Sequence, residues 1–307
     1  MGKKMGNTHF ICESVFSVNA PYYHYYSTPP EKELLFLLED DYRAATNMIA
    51  VAAMMSGCRV LAYAIMSNHL HFILTGSKDE CEAFIRELLK RLNMFLRRCR
   101  RPTFDVGFNT VEISDLKQMR DEVAYVIRNP YAARNDVNPF SYPWCTGYLY
   151  FNSMLPLCPQ GIPASELSIR ASRAIKWGRD CRLPSTLRVA DGMILPSSFV
   201  DYKLVESLFE NARQFVWWIT RNVESYTATA ARLGESSLLT DEEAYMIAIK
   251  CCKTEFGTDN PRLLPQNHKQ QLIRSLKQEY GATNKQLSRC TGIPLTFINE
   301  MFPPRNL

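Results

Sequence analysis

The sequence lacks the features that mark membrane, secreted and nucleotide-binding proteins. Its 307 residues contain no run of roughly 18 uncharged apolar residues, so we expect no membrane partner. The first ten residues, MGKKMGNTHF, have no apolar segment of the kind found in secretory signals. No glycine-rich phosphate-binding loop is present, so we expect no nucleotide cofactor. These absences favour a cytoplasmic protein.

The sequence also lacks a Cys-x-x-Cys motif and a large net charge. Ten cysteines are scattered along the chain without a Cys-x-x-Cys pair, which favours reduced, mostly buried thiols. The formal net charge of +5 is compatible with a nucleic-acid partner but does not by itself indicate one. With 46% hydrophobic residues, the chain has ample material for a core, and its length predicts about two domains.

Residues 60–75, VLAYAIMSNHLHFILT, predict a strand, a tight turn at Ser67 and Asn68, and a second strand. Side chains alternate across a strand, so His69 and His71 share one face. Two imidazoles placed in this way can converge on one metal ion. The alternative from the residues alone is a pair of packed or hydrogen-bonded core histidines.

Residues 115–134, DLKQMRDEVAYVIRNPYAAR, predict an amphipathic helix. Its buried stripe comprises Leu116, Met119, Val123 and Ile127. Tyr125 and Asn129 are four residues apart and therefore lie one turn apart on a face away from that stripe. A phenol and an amide in this relation could serve one metal site, the amide as a third ligand and the phenol as a nucleophile.

The motif MSNHLHFIL followed by AYVIRNPYAAR closely resembles the REP-associated tyrosine transposases, which belong to the single-tyrosine branch of the HUH endonuclease superfamily. The resemblance implies that His69 and His71 are metal ligands, that Tyr125 is the nucleophile, and that Asn129 is the metal-binding amide. Ser67 departs from the family, which usually has proline there. The resemblance is strong over residues 8–145 and looser beyond.

The resemblance implies a transposase that cleaves and rejoins DNA through a 5′-phosphotyrosine. The partner would be single-stranded or hairpin DNA, and the cofactor a divalent metal, Mg²⁺ or Mn²⁺, which this ligand set does not distinguish. Two other functions stay open. One is a domesticated, non-catalytic hairpin-binding protein. The other is a relaxase or replication initiator, although Tyr131 lies beyond Pro130 and is poorly placed as a paired tyrosine. The sequence leaves monomer and homodimer open.

The fold class predicted from the pattern is α+β: a ferredoxin/RRM-like antiparallel sheet with helices, followed by an all-α C-terminal region. We expect the first strand at residues 9–18, helices at 31–56 and 78–101, and a further strand at 104–113. Residues 22–26, YYHYY, predict either a platform for stacked bases or a loop packed over the sheet.

Three regions are predicted: a catalytic domain at 1–145, a proline-rich basic connector at 146–198, and a helical domain at 199–307. In the last of these, one long amphipathic helix is expected at 199–221, with Phe215, Trp217 and Trp218 in the core. The segment around Gly292 has a pattern typical of a helix-turn-helix motif, since helices are expected at 268–280, 284–290 and 294–302.

Two basic segments predict contacts with the DNA backbone. One is the end of the helix at 78–101, and the other is residues 169–182, where basic residues recur every third position. The predicted DNA-binding residues are Arg97, Arg98, Arg100, Arg101, Arg128, Arg173, Lys176 and Arg179.

Overall fold

The computed structural model describes residues 2–27, 34–101, 103, 107–133, 138–178, 181–221, 229, 241–280 and 282–303. The main sheet has the strands β1 (Tyr22–Ser27), β2 (Arg59–Ile65), β3 (Leu70–Thr75) and β4 (Phe108–Ile113). The helices are α1 (Gly2–Asn19), α2 (Glu39–Ser56), α3 (Lys78–Arg98), α4 (Leu116–Ala133), α5 (Ile169–Lys176), α6 (Tyr202–Ser207), α7 (Ala212–Arg221), α8 (Asp241–Phe256), α9 (Gln266–Tyr280), α10 (Asn284–Thr291) and α11 (Leu295–Met301).

The main sheet is antiparallel, with the order β2-β3-β1-β4. Between β1 and β4 the chain runs strand, α2, strand, strand, α3, strand, which is the ferredoxin-like succession. The predicted α+β class with an antiparallel sheet is therefore confirmed. β1 and β3 are the inner strands, so each is hydrogen-bonded on both edges and fixed in register.

The two faces of the sheet are covered by different helices. Tyr23 and Tyr25 of β1 pack in a hydrophobic cluster with residues of α2 and α3. Tyr22 faces the other way and packs in a second cluster with residues of α1, α4 and α7. His24 is on the same face as Tyr22 by strand alternation. The sheet therefore has polar residues on the α4 side that are removed from water.

The prediction of a first strand at residues 9–18 is wrong, because that segment lies within α1. Cys12 and Phe16 are four residues apart and buried, with Val15 partly buried beside them, which is helical spacing. The first strand is instead β1 (Tyr22–Ser27), and it contains the YYHYY segment, where a packed loop or a platform for stacked bases was expected. Aromatic residues have a high strand propensity, which explains why this segment forms a strand.

The single helix expected at 199–221 is also wrong, because the structure divides it into α6 and α7. Asn211 accepts a hydrogen bond from the backbone of Gln214 and so starts a second helix. Phe215 is buried as expected, whereas Trp217 is 47% exposed. α6 and α7 pack against the main sheet and α4 through their apolar residues.

The predicted connector contains a small antiparallel sheet with the strands β5 (Ile162–Pro163), β6 (Arg188–Ala190) and β7 (Met193–Ile194). The helices α8–α11 share a separate hydrophobic cluster. Gly292 ends α10 with a φ of 72°, which a glycine adopts without strain. No helix in the described ranges is long and apolar enough to cross a membrane. The three-domain division and the helix-turn-helix role remain predictions.

Burial along α3 predicts a large difference in stability between two truncations. Phe84 is fully buried and its ring lies 5.2 Å from that of Phe72, whereas Met94 is 39% exposed. Phe84→Ala should lower the free energy of unfolding by about 3–5 kcal/mol. Met94→Ala on the same helix should change it by less than about 0.5 kcal/mol. Urea denaturation measures both, and equal losses would contradict the packing described.

Candidate metal and nucleophile site

The turn between β2 and β3 is held by backbone hydrogen bonds. Met66 donates to the carbonyl of His69 at 2.9 Å, and Leu35 and Phe36 both donate to the carbonyl of Ser67 at 2.8 and 3.0 Å. Ser67 and Asn68 are buried. The serine at the position where the resembling family has proline is therefore compatible with a fixed turn, and the turn sets the position of His69.

The two motif histidines lie close together with nearly perpendicular rings. Their ring centroids are 5.0 Å apart at 85°, with His71 fully buried in β3 and His69 half-buried before it. An imidazole nitrogen binds a divalent ion at roughly 2.0–2.1 Å, so two imidazoles bound side by side have ring centres roughly 5 Å apart. The observed separation suits a shared ion.

Helix α4 brings Asn129 and Tyr125 to the same histidine. The amide Nδ2 of Asn129 is 3.2 Å from Nε2 of His71. Ligand atoms on one ion at roughly 2.0–2.1 Å are about 3 Å apart, and rotation of the amide would present Oδ1 at the same place. The Tyr125 ring centroid lies 5.6 Å from that of His71, edge to face, and Tyr125 is fully buried.

The donor chemistry of His69 also fits a ligand. Its Nδ1 lies 2.8 Å from Oδ1 of Asn68, an acceptor, so Nδ1 carries the proton and Nε2 keeps its lone pair. Among the described residues, no group of three or more His, Cys, Asp or Glu side chains could hold a metal ion. The amide of Asn129 is the candidate for a third protein ligand beside the two histidines.

The sequence reasoning missed His24 and Glu122, which join the same cluster. His24 Nε2 is 3.1 Å from His71 Nδ1, and His24 Nδ1 is 2.8 Å from Glu122 Oε2, with all three side chains fully buried. Glu122 is seven residues before Asn129 and thus shares its face of α4. That spacing, together with strand alternation in YYHYY, was the signal available in the sequence.

Tyr26 is a second tyrosine beside the motif histidines. It pairs with His71 across β1 and β3, and its half-buried ring lies 6.2 Å from the His71 ring at 16°. Tyr22 is on the same face, but burial raises its pKa to about 12 and its hydroxyl donates to the carbonyl of Phe16. Tyr26 is thus the tyrosine of β1 that competes with Tyr125 for the role of nucleophile.

The predicted DNA-binding residues differ in exposure. Arg97, Arg98, Arg100 and Arg173 are exposed. Arg101 is half-buried and donates to Asp41 at 2.7 Å, whereas Lys176 and Arg128 are buried. The ammonium group of Lys176 donates a hydrogen bond to the carbonyl of Cys181 and is therefore engaged within the protein. Arg179 lies outside the described residues.

The two basic segments meet at the end of α3. The guanidinium of Arg98 lies over the Trp177 ring at 5.3 Å, and buried Arg91 donates to the carbonyl of Lys176. The end of α3 is also linked to the histidine turn, because Arg101 donates to the carbonyl of Leu35 at 3.4 Å and Leu35 donates to that of Ser67. The exposed arginines and the histidines therefore lie at one end of the sheet.

No protein-family model and no curated protein matches the sequence. Among solved structures, the chain is similar to a REP-associated tyrosine transposase bound to a REP hairpin, with 14% identity and a TM-score of 0.35. The match covers 56% of this chain and 94% of that chain. A likeness at this level establishes neither a family nor a function for this chain.

The geometry predicts a site for one divalent ion. His69→Ala, His71→Ala and Asn129→Ala should each lower the affinity for Mn²⁺ at least ~10-fold, because each removes one candidate ligand. Electron paramagnetic resonance of free Mn²⁺ measures this without DNA. His268→Ala is the matched control, since His268 stacks on Phe256 in the C-terminal helices. An equal loss of Mn²⁺ affinity in that variant would contradict a metal site at the β2–β3 hairpin.

Proposed function

We propose that this protein is a metal-dependent single-stranded DNA endonuclease and strand transferase, a transposase of the HUH single-tyrosine type. The observation that carries the proposal is the meeting of the motif residues. The amide of Asn129 lies 3.2 Å from His71, and the Tyr125 ring packs against the same imidazole. These residues come from two segments that the resemblance had named independently of the fold.

The proposed reaction has two steps. Cleavage forms a covalent bond between the protein and the DNA, and rejoining reverses that step. His69, His71 and Asn129 would hold the cation, Mg²⁺ or Mn²⁺, which would draw charge from the phosphodiester. The phenolic oxygen of Tyr125 attacks phosphorus, a P–O bond to Tyr125 forms, and the P–O3′ bond breaks. The phenol gives its proton to water and the leaving 3′ oxygen takes one. The products are a 5′-phosphotyrosine and a free 3′-hydroxyl, and attack by another 3′-hydroxyl rejoins the strand without a nucleotide.

The burial of Tyr125 limits the substrate. Because Tyr125 and His71 are fully buried and His69 is half-buried, a phosphate approaches from the side of His69 and neighbouring groups must move. An intact duplex is too wide to bring one strand's phosphate into this position. A single strand, or the unpaired flank of a hairpin, fits the requirement.

The exposed arginines at the end of α3 offer a path for the DNA backbone. Arg97, Arg98 and Arg100 lie at the end of the sheet where the histidine turn lies, and Arg173 extends the positive surface onto α5. Phosphate contacts of this kind give affinity without sequence preference. The helix-turn-helix-like C-terminal helices are a further proposed DNA contact, separate from the chemistry.

A hairpin-binding protein without catalysis is the second candidate. Complete burial of Tyr125 is the observation that favours it, since a nucleophile must reach its substrate. The relaxase alternative has no paired tyrosine within the described side chains of α4. Covalent chemistry distinguishes the candidates, because a binder without catalysis forms no adduct.

Tyr125→Phe should abolish the covalent protein–DNA adduct while leaving DNA binding within about twofold. The change removes one oxygen atom and keeps the ring that packs on His71. Denaturing gel electrophoresis with labelled single-stranded DNA, carrying the hairpin-forming repeats beside the protein's own gene, measures the adduct.

Tyr26→Phe is the matched control because Tyr26 also contacts His71. This variant should retain the adduct. If Tyr26→Phe loses the adduct and Tyr125→Phe keeps it, the nucleophile is Tyr26 and the assignment to Tyr125 is wrong. If the wild type forms no adduct with Mg²⁺ or Mn²⁺, the non-catalytic function replaces the proposed one.

The arginine surface predicts a change in salt dependence. Arg97→Gln with Arg100→Gln should reduce the slope of log affinity against log salt by about 1.4, at ~0.7 for each lost phosphate contact on a single strand. Arg86→Gln with Arg213→Gln removes the same charge from other exposed positions and should leave the slope nearly unchanged. Fluorescence anisotropy over a salt series measures both, and equal slopes would exclude a specific path at the C-terminal end of α3.

A further inference from the structure

Three fully buried side chains form a continuous hydrogen-bonded series behind His71. Glu122 Oε2 is 2.8 Å from His24 Nδ1, His24 Nε2 is 3.1 Å from His71 Nδ1, and His71 Nε2 faces the Asn129 amide at 3.2 Å. The series connects α4 to β1, β1 to β3, and β3 back to α4. Its burial means that water does not supply alternative partners for the ring nitrogens.

A carboxylate at one end of the series gives its hydrogen bonds a direction when the acid is ionised. An ionised Glu122 only accepts, so His24 Nδ1 must donate to it. In a neutral imidazole the other nitrogen then carries a lone pair, so His24 Nε2 accepts from His71 Nδ1. With Glu122 ionised and both rings neutral, His71 has its proton on Nδ1 and its lone pair on Nε2.

The fourth member, Asn129, is compatible with this direction. The nitrogen of the Asn129 amide, a donor, is the atom oriented toward His71 Nε2. In this orientation the amide donor meets a lone pair on Nε2, which is the tautomer that an ionised Glu122 favours from the other end. His69 shows the same arrangement, since its Nδ1 donates to Asn68 and leaves Nε2 as the ligand atom.

We infer that the Glu122–His24 pair is a positioning device that holds His71 in the tautomer and orientation needed to bind a divalent cation through Nε2. The inference rests on the proposed function, because it deepens the account of the same metal site. Metal-bound histidines commonly donate their second N–H to a carboxylate or another acceptor, which orients the ring and raises its basicity. Here a second histidine is inserted between the ligand and the carboxylate.

A purely structural pair would have a different consequence. It would contribute to stability through buried hydrogen bonds, and the loss of either member would cost stability without regard to the metal. The positioning role predicts a specific effect on metal affinity and on the protonation pattern of His71. These two quantities can be measured without DNA cleavage.

Nitrogen-detected NMR of histidine-labelled, metal-free wild-type protein reports which ring nitrogen carries a proton. We expect neutral rings with protons on Nδ1 for both His24 and His71. A proton on Nε2 of His71, or a doubly protonated His24, would overturn the inference. This measurement uses the wild type, so it decides the matter even if a variant fails to fold.

Mn²⁺ titration followed by electron paramagnetic resonance tests the effect on affinity. His24→Ala should weaken binding ~10–100-fold, with a smaller loss in the same direction for Glu122→Gln, which keeps an acceptor but removes the charge. Tyr22→Phe is the matched control, because it lies two residues away on the same face of β1 and loses the hydrogen bond to Phe16. It should bind Mn²⁺ as the wild type does.

The outcomes separate two kinds of failure. If the wild type binds Mn²⁺ and both variants bind it equally well, the positioning role is wrong and the proposed function stands. If the wild type binds no Mn²⁺, the metal-dependent function fails and the positioning role fails with it.

Discussion

The packing of α4 against the main sheet, over β2 and β3 and beside His24 of β1, is the constraint on which the rest of the site depends. It buries an unusual set of polar side chains, namely Glu122, His24, His71 and Asn129, against one face of an otherwise apolar sheet. Burying polar groups without partners costs several kcal/mol, so each must be hydrogen-bonded. Their mutual hydrogen bonds satisfy this requirement, and in the inferred tautomer the same bonds leave Nε2 of His71 as the nitrogen that would bind a metal. Stability and chemistry therefore impose the same geometry here.

The sequence predicted the part of this arrangement that depends on local period. The hairpin at residues 60–75 and the helix at 115–134 follow from alternation and helical spacing, and the α+β class follows from their succession. The first strand was misplaced because β-branched and aromatic residues in residues 9–18 outweighed the helical spacing of Cys12 and Phe16. The YYHYY segment was predicted to be a base-stacking platform or a packed loop, although strand propensity and alternation place Tyr22 and His24 on one face.

The long-range part of the site was not accessible from local patterns. His24 and Glu122 are 98 positions apart in the chain, and only the sheet order β3-β1-β4 with α4 above it brings them to 2.8 Å. The exposure of the basic residues likewise depends on tertiary packing, since a threefold spacing of charges on α5 does not reveal that Lys176 is buried while Arg173 is exposed. The sequence shows the basic residues of α3 and of the α5 segment as two separate groups. The structure brings them together, because Arg98 of α3 lies over the ring of Trp177, which follows α5.

Mass spectrometry of the trapped DNA adduct tests the central claim most directly. After digestion with trypsin and nuclease, the competing tyrosines fall in different peptides: Tyr125 in residues 121–128, Tyr131 in 129–134 and Tyr26 in 5–32. The account predicts a nucleotide mass on the peptide DEVAYVIR, in which Tyr125 is the sole tyrosine. A nucleotide mass on either of the other two peptides, with DEVAYVIR unmodified, would contradict it.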